Sequence, residues 1–161
     1  MELFDKKILK AISNSLLKRK ETIAVAESVT AGLLQFAFSN APDGAKFFQG
    51  GVTTYNIAQK YKFLNVEPIH ALSVNCVSAK VANEMAVNTC KLFLSDWGVG
   101  LTGYATAVPE SGGKTYAFYT IVYQGKVKAK GKSNGQERSP ADQQTAYCLV
   151  ILKELLNVLK T

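Results

Sequence analysis

The sequence predicts an α/β protein, built as a three-layer α/β/α sandwich around a mixed sheet of about five strands. Segments whose apolar residues recur at helical spacing alternate along the chain with short apolar runs rich in β-branched residues. Two of these runs are separated only by Gln124 and Gly125, a turn sequence that makes this strand pair antiparallel. Strands joined through helices pair in parallel, so a sheet that also contains a hairpin is mixed.

The first half of the chain begins with a helix and continues as two strand–helix units. Charged residues occur throughout residues 1–20, and the apolar residues there follow helical spacing rather than the continuous core of a signal peptide. The segment "SNAPDG" ends the first strand–helix unit, because proline and glycine interrupt regular structure. The predicted elements are a helix within residues 1–20, a strand at Thr22–Ala26, a helix at Thr30–Ser39, a strand at residues 47–55 and a helix at Asn56–Phe63.

The second half is predicted to contain an irregular connection, two helices and three strands. Ser78 is suited to cap a long amphipathic helix, and Ser139 followed by Pro140 is suited to begin the last helix. The apolar positions predicted for the inner side of the long helix are Val81, Met85, Leu92 and Phe93. The predicted elements are an irregular connection at residues 65–75, a helix at residues 78–95, a strand at residues 97–105, the hairpin within residues 114–132 and a helix at residues 139–159.

Length and composition favour one domain without a membrane-spanning segment. At 161 residues, with 47% hydrophobic and 19% charged residues, the chain resembles ordinary globular domains and contains no repeat or low-complexity stretch. We therefore expect a single domain over residues 1–161 and no membrane as a partner. The three cysteines are far apart in sequence and indicate neither a disulfide framework nor a zinc site, so a cytoplasmic location fits best.

The formal net charge of +7 leaves three interpretations open. Alternate lysines in "KVKAKGK" are predicted to share one face of a strand, and lysines on an edge strand protect it against pairing with other chains. A phosphate-bearing small substrate or a nucleic acid would also be attracted by this charge. Nucleic acid is the least favoured partner, because the sequence shows no surface that combines aromatic and basic residues. The lysines of this face are Lys126, Lys128, Lys130 and Lys132.

Polar residues follow the first and third predicted strands, where open α/β sheets bind ligands. One such segment is "AESVTAG", residues 26–32, and the other is the loop that begins after Leu101. Ser28 or Thr30 suits a helix N-cap, which is the commonest use of serine and threonine at such a position. The same cluster also suits the floor of an active site, and that interpretation requires a base.

A nucleophilic serine is activated by a neighbouring base, and the chain offers two candidates. The single histidine, His70, lies in the predicted irregular connection, so a serine–histidine–aspartate triad is not favoured. A desolvated lysine also serves as a base, because burial lowers its pKa toward neutrality. Lys60 follows Tyr55 by about one and a half helical turns, which allows both to face one crevice. The alternative is a solvated Lys60 and a packed Tyr55.

Three motifs together resemble the CinA carboxy-terminal domain family, the nicotinamide-nucleotide amidohydrolases related to competence/damage-inducible protein A. The family's A-E-S-C-T-G-G is similar to "AESVTAG" at residues 26–32. Its G-G-V-x-x-Y-S-N-x-x-K-x-x-L-L-G-V resembles "GGVTTYNIAQKYKFLNV", with Tyr55 and Lys60 in register. Its V-S-x-x-V-A-x-x-M-A matches residues 77–86. The resemblance extends along nearly the whole chain and implies a stand-alone form of the domain.

This resemblance implies hydrolysis of nicotinamide mononucleotide to nicotinic acid mononucleotide and ammonia, in pyridine nucleotide salvage. Ser28 is the implied nucleophile, Lys60 its general base and Tyr55 a hydrogen-bonding partner in proton transfer. The implied partner is a small-molecule nucleotide substrate, no metal or cofactor is implied, and related domains imply a homo-oligomer. The implied substrate-binding residues are Glu27, Thr30, Gly32, Asn56, Thr102, Gly103 and Arg138.

The chain departs from the family pattern mainly where a phosphate would be held. Val29 and Ala31 replace a cysteine and a glycine, and a Cβ at residue 31 is expected to hinder close approach of a ligand to the backbone. The loop at residues 102–109 has lost glycines, and Asp142 stands where the family has a second arginine. Glycine loops and arginines commonly bind phosphate. A catalytically silent ligand-binding or interaction module is therefore the alternative function.

Overall fold

The computed structural model, which describes residues 3–136 and 139–161, contains five strands, six α-helices and two short 3-10 helices at Gly44–Lys46 and Pro109–Ser111. The strands are β1 at Ile23–Glu27, β2 at Phe48–Thr53, β3 at Trp97–Tyr104, β4 at Tyr116–Tyr123 and β5 at Lys126–Asn134. The helices are α1 at Lys6–Arg19, α2 at Leu33–Ser39, α3 at Ile57–Leu64, α4 at Pro68–Ser73, α5 at Ala79–Phe93 and α6 at Pro140–Leu159. None of the helices in these ranges has the length and apolar character that crossing a membrane requires.

The strands form one open mixed sheet in the order β2-β1-β3-β4-β5. β1 lies between β2 and β3 and is parallel to both, whereas β4 is antiparallel to β3 and β5 is antiparallel to β4. Helices α1, α2 and α6 share a core cluster with one face of the sheet, and α3, α4 and α5 contribute to a cluster on the other face. The predicted three-layer α/β/α sandwich with one hairpin is confirmed.

Close packing between α5 and β3 depends on two glycines of the strand. Gly98 and Gly100 face α5, and a Cβ built on either residue would overlap backbone atoms of that helix. Helix α5 therefore approaches the centre of the sheet more closely than larger side chains would allow. This contact fixes the position of β3, whose last residues line the candidate site.

The connection at residues 65–75, predicted to be irregular, contains the helix α4. Glu67 caps α4 by accepting hydrogen bonds from the backbone N–H groups of Ile69 and His70, and Pro68 occupies the first turn. A capping residue followed by proline is a helix start signal, although six residues are too few to show apolar periodicity. The prediction that Leu92 faces inward from α5 is also wrong, since this residue is 47% exposed.

The lysines of β5 do not share one face, in contrast to the prediction. A register shift near Ile121 and Val122 interrupts the alternation. Lys132 and Lys130 pair with Phe118 and Thr120, whereas Lys126 pairs with Tyr123, whose side chain points to the opposite face. β5 is an edge strand of the sheet, as the first interpretation of these lysines requires. The bulge separates the lysines into two groups with different surroundings.

Candidate functional site

Ser28 and Lys60 meet at the carboxyl end of the parallel strands. Ser28 is the first residue after β1, and Lys60 lies in the middle of α3, which follows the neighbouring strand β2. The Lys60 Nζ atom is 3.0 Å from the Ser28 Oγ atom. Lys60 is only 1% exposed and Ser28 only 8% exposed. The structure therefore brings together the two residues that the sequence proposes as nucleophile and base.

The Lys60 amine is held by one further hydrogen bond and is poorly hydrated. Its Nζ atom donates to the backbone carbonyl of Thr54 at 2.8 Å. Burial lowers the pKa of Lys60 from 10.5 to about 8, while the electrostatic interaction with Cys76 acts in the opposite direction. A lysine with this pKa is partly neutral near physiological pH, and a neutral amine accepts a proton from a hydroxyl.

The polar residues beside Ser28 support the turn instead of contacting the cleft. Glu27 is fully buried, and its carboxylate accepts hydrogen bonds from the Thr30 hydroxyl at 2.5 Å and from the backbone N–H groups of Leu34 and Gln35. Glu27 therefore satisfies the first N–H groups of α2 from the end of the preceding strand. The prediction that Ser28 or Thr30 caps this helix is wrong.

Two consecutive left-handed residues complete this turn. Ala31 has φ 53° and Gly32 has φ 98°, and Gly32 occupies the N-cap position of α2 without a side chain to contribute. A left-handed conformation costs about 1 kcal/mol at alanine, whereas glycine adopts it freely. The Ala31 side chain is exposed and is not among the residues that line the cleft, so the expected steric block does not arise in this conformation.

A cleft of about 350 Å³ opens over the Ser28–Lys60 pair. Tyr55 lies at its rim with 65% of the residue exposed, and Thr102 and Gly103 line it from the end of β3. The Thr102 hydroxyl donates to the backbone carbonyl of Cys76 at 2.7 Å. Of the predicted site residues, Ser28, Lys60, Tyr55, Thr102 and Gly103 are thus assembled around one cavity.

Other predicted site residues lie elsewhere. Glu27 and Thr30 are fully buried behind the turn. They support the structure of the turn and do not make the predicted contact with a substrate. Gly32 and Asn56 are outside the residues that line the cleft, and the Asn56 side chain caps α3 by accepting a hydrogen bond from a backbone N–H group. Arg138 lies outside the described residues.

Several residues that line the cleft were not predicted. Asn75 and Cys76 follow α4 in left-handed conformations, with φ 50° and φ 60°. Asn75 Nδ2 donates to the Tyr104 hydroxyl at 3.0 Å, and Gln144 Nε2 of α6 donates to the Val29 carbonyl at 2.9 Å. These residues come from three distant segments, and no local pattern in the sequence connects them.

The described part of the chain offers no clustered metal ligands. Residues 3–136 and 139–161 contain no group of three or more histidine, cysteine or acidic side chains that could hold a metal ion. His70 Nε2 lies 2.9 Å from the hydroxyl of Ser78, the N-cap residue of α5, and does not line the cleft. The group within hydrogen-bonding distance of the Ser28 hydroxyl is the Lys60 amine.

The fold and the site together define an α/β/α-sandwich protein with a buried serine–lysine pair at the carboxyl ends of its parallel strands. Comparison of the sequence with family models matches the CinA C-terminal domain over residues 5–159. The chain therefore belongs to the CinA family, as the sequence motifs indicated.

Relatives and solved structures agree with this assignment. The chain is 43% identical over 94 residues to a competence-damage inducible protein of Streptococcus uberis, covering 58% of this chain and 22% of that protein. It is 38% identical over 102 residues to a CinA-like protein of Prochlorococcus marinus, covering 63% of this chain and 24% of that protein. The chain thus spans about a quarter of the length of the curated relatives it matches.

Two crystal structures show the same fold. A CinA superfamily protein from Klebsiella pneumoniae superposes with a TM-score of 0.90 at 20% identity, covering 99% of both chains. A CinA superfamily protein from Escherichia coli superposes with a TM-score of 0.84 at 24% identity, covering 97% of this chain and 93% of the other. At these identities the likeness concerns the fold, and the chemistry has to be argued from the site.

Proposed function

We propose that the protein is an amidohydrolase that releases ammonia from nicotinamide mononucleotide, with Ser28 as nucleophile and Lys60 as general base. The observation that carries this proposal is the 3.0 Å contact between Lys60 Nζ and Ser28 Oγ in a buried site. With a Lys60 pKa of about 8, about half of the molecules carry a neutral amine at pH 8 and about one tenth at pH 7. The family resemblance supplies the substrate.

The acylation step follows from this contact. The neutral Lys60 amine accepts the Ser28 proton as Oγ attacks the amide carbon, while the Thr54 carbonyl holds the amine in position. The resulting Lys60 ammonium then donates a proton to the departing nitrogen, which leaves as ammonia. An acyl ester remains on Ser28.

Deacylation reverses the direction of proton transfer. Lys60, neutral again, accepts a proton from a water molecule that attacks the ester carbon, and the proton returns to Ser28 as the ester bond breaks. The net reaction consumes one water and one amide and yields one carboxylic acid and one ammonia. In this proposal Tyr55, which lies exposed at the rim of the cleft, assists proton transfer with solvent.

The developing oxyanion needs hydrogen-bond donors other than those the resemblance implied. The Thr30 hydroxyl and the N–H groups of Leu34 and Gln35 already donate to Glu27. The donors nearest in sequence to Ser28 are the backbone N–H groups of Val29 and Thr30, in the turn that Glu27 holds in place. Stabilisation by fixed donors of this kind is commonly the largest single contribution to acyl transfer.

The experiment that tests the proposal is ammonia release from nicotinamide mononucleotide by the purified protein. Ser28→Ala and Lys60→Met are expected to lower kcat by about 10³-fold or more, because each removes one half of the nucleophile–base pair. Lys62→Met is the matched control, since Lys62 is an exposed lysine of the same helix. Circular dichroism verifies that each variant is folded. Ammonia release that persists in Ser28→Ala would overturn the proposal.

The same preparation distinguishes the alternative, a catalytically silent binding module. Binding of nicotinamide mononucleotide without ammonia release would favour that function. Size-exclusion chromatography with light scattering tests the expected homo-oligomer, and fractionation of cells tests the expected cytoplasmic location. The expected homo-oligomer rests on the family resemblance, and the expected location rests on the spacing of the cysteines.

A further inference from the structure

A second cavity adjoins the Ser28–Lys60 cleft. It has a volume of about 620 Å³ and lies between the loop after β3, the first residues of β4 and the end of β5. Ala105, Thr106 and Pro140 line both the cleft and this cavity. A ligand long enough to cross this shared wall would place one end at Ser28 and the other end in the second cavity.

The charge of the second cavity favours an anion. Lys114 and Lys132 line it, together with polar residues such as Asn134 and Thr115, and no acidic side chain is among the described residues that line it. Two ammonium groups in one concave site attract a doubly charged group such as a phosphate, and low-dielectric walls strengthen that attraction.

The Lys132 ammonium is held in position by aromatic rings. Its Nζ atom lies 4.1 Å from the centre of the Tyr116 ring and 5.5 Å from the centre of the Phe118 ring. Lysine side chains ordinarily lose rotamer freedom when they bind an anion, and this loss weakens binding. Cation–π contacts reduce that loss because they restrict Lys132 before a ligand arrives.

The same aromatic residues connect the second cavity to the cleft. The Tyr116 ring packs edge to face against Tyr104 with ring centres 5.4 Å apart. Tyr104 in turn accepts a hydrogen bond from Asn75, and both of these residues line the Ser28 cleft. Lys132, Tyr116, Tyr104 and Asn75 therefore form a continuous row from one cavity to the other.

We infer that Lys114 and Lys132 bind the phosphate of a nucleotide whose amide lies at Ser28. Position supports this assignment, because the second cavity shares a wall with the cleft and its other described lining residues carry no negative charge. The two lysines thus bind the phosphate in place of the loop at residues 102–109, which has fewer glycines than the family pattern. The inference rests on the proposed function for the amide, whereas the phosphate site rests on the second cavity alone.

Isothermal titration calorimetry with two probes tests the inference. Nicotinamide mononucleotide carries the phosphate, and nicotinamide riboside is the same molecule without it. The unmodified protein is expected to bind the phosphorylated compound at least about tenfold more tightly, equivalent to about 1.4 kcal/mol. Lys132→Met and Lys114→Met are each expected to remove about tenfold of that preference and to leave the affinity for the riboside unchanged.

Two further variants control for net charge and for side-chain loss. Lys126→Met removes a lysine from the same strand on the opposite face, so the phosphate preference is expected to stay unchanged. Lys132→Arg keeps the cation and is expected to retain most of the preference. Equal affinity of the unmodified protein for the two probes, or an equal loss in Lys126→Met and Lys132→Met, would overturn the inference.

Ammonia release separates this inference from the proposed function. Preferential binding of the phosphorylated probe without ammonia release keeps the phosphate site and overturns the amidase. Ammonia release with the same kcat/KM for both probes keeps the amidase and overturns the phosphate site. Failure of both probes to bind overturns the phosphate site for this class of ligand.

Discussion

Burial of the Lys60 amine makes the stability of the protein depend on pH in a predictable direction. In the unfolded chain this lysine holds its proton up to its ordinary pKa of 10.5, whereas in the folded protein it releases the proton at about 8. Between these two values the unfolded state binds more protons, so the free energy of unfolding rises with pH. Below pH 8 the buried charge destabilises the fold by about 3 kcal/mol.

Replacement of Lys60 by methionine removes this titration and provides the assay. From about pH 7 to pH 9.5, the free energy of unfolding of the unmodified protein is expected to rise by about 2 kcal/mol relative to that of Lys60→Met. Urea denaturation at the two pH values measures both. Groups that do not interact with Lys60 contribute equally to the two proteins, so the difference reports the titration of Lys60 and of its coupling to Cys76.

The loss of the hydrogen bonds of Lys60 shifts the stability of Lys60→Met by the same amount at both pH values and does not affect this comparison. Lys62→Met keeps the buried lysine and is expected to change in parallel with the unmodified protein. Parallel behaviour of Lys60→Met and the unmodified protein would refute the reasoning, because it would show that Lys60 titrates alike in the folded and unfolded states.

Three further predictions concern the neighbours of the site. Cys76→Ala removes a neighbour whose electrostatic interaction raises the pKa of Lys60, so the acid side of the pH–rate profile for ammonia release is expected to move to lower pH in initial-rate measurements from about pH 6 to pH 9. Glu27→Gln weakens the buried acceptor of three hydrogen bonds and is expected to lower the free energy of unfolding by about 1–3 kcal/mol in urea, whereas the exposed Glu110→Gln is expected to change it by less than about 0.5 kcal/mol. Gly100→Ala forces a methyl group against the backbone of α5 and is expected to lower the free energy of unfolding by about 1–3 kcal/mol. An unchanged free energy of unfolding would contradict the close packing of α5 on β3.

The sequence predicts the layers of the fold well because long apolar patterns determine them. The hairpin was located by Gln124 and Gly125, and the long helices by their apolar spacing. Helix α4 was missed because its start depends on a single capping residue, Glu67, and not on periodicity. The face of Lys126 was predicted wrongly because a one-residue shift in strand pairing reverses the direction of the side chains. No residue type in β5 indicates that shift.

The site was predictable only in part. Ser28 and Lys60 were found because their motifs resemble those of a known family, and their contact follows from the adjacency of β1 and β2. Glu27 caps α2 only because α2 leaves the turn in a direction that brings its first N–H groups to the Glu27 carboxylate. Local sequence propensity does not determine that direction. The second cavity is formed by segments far apart in sequence, so its outline exists only once the hairpin and α6 have packed.

The position of the β4–β5 hairpin also bears on how proteins of this fold diverge. The hairpin is continuous in sequence and lies at one edge of the sheet, while Ser28 and Lys60 belong to elements on the parallel side. Substitutions or altered loop lengths in the hairpin would reshape the second cavity without moving Ser28 or the amine of Lys60. Selection could therefore exchange the ligand group recognised at a distance while the reacting pair is inherited unchanged.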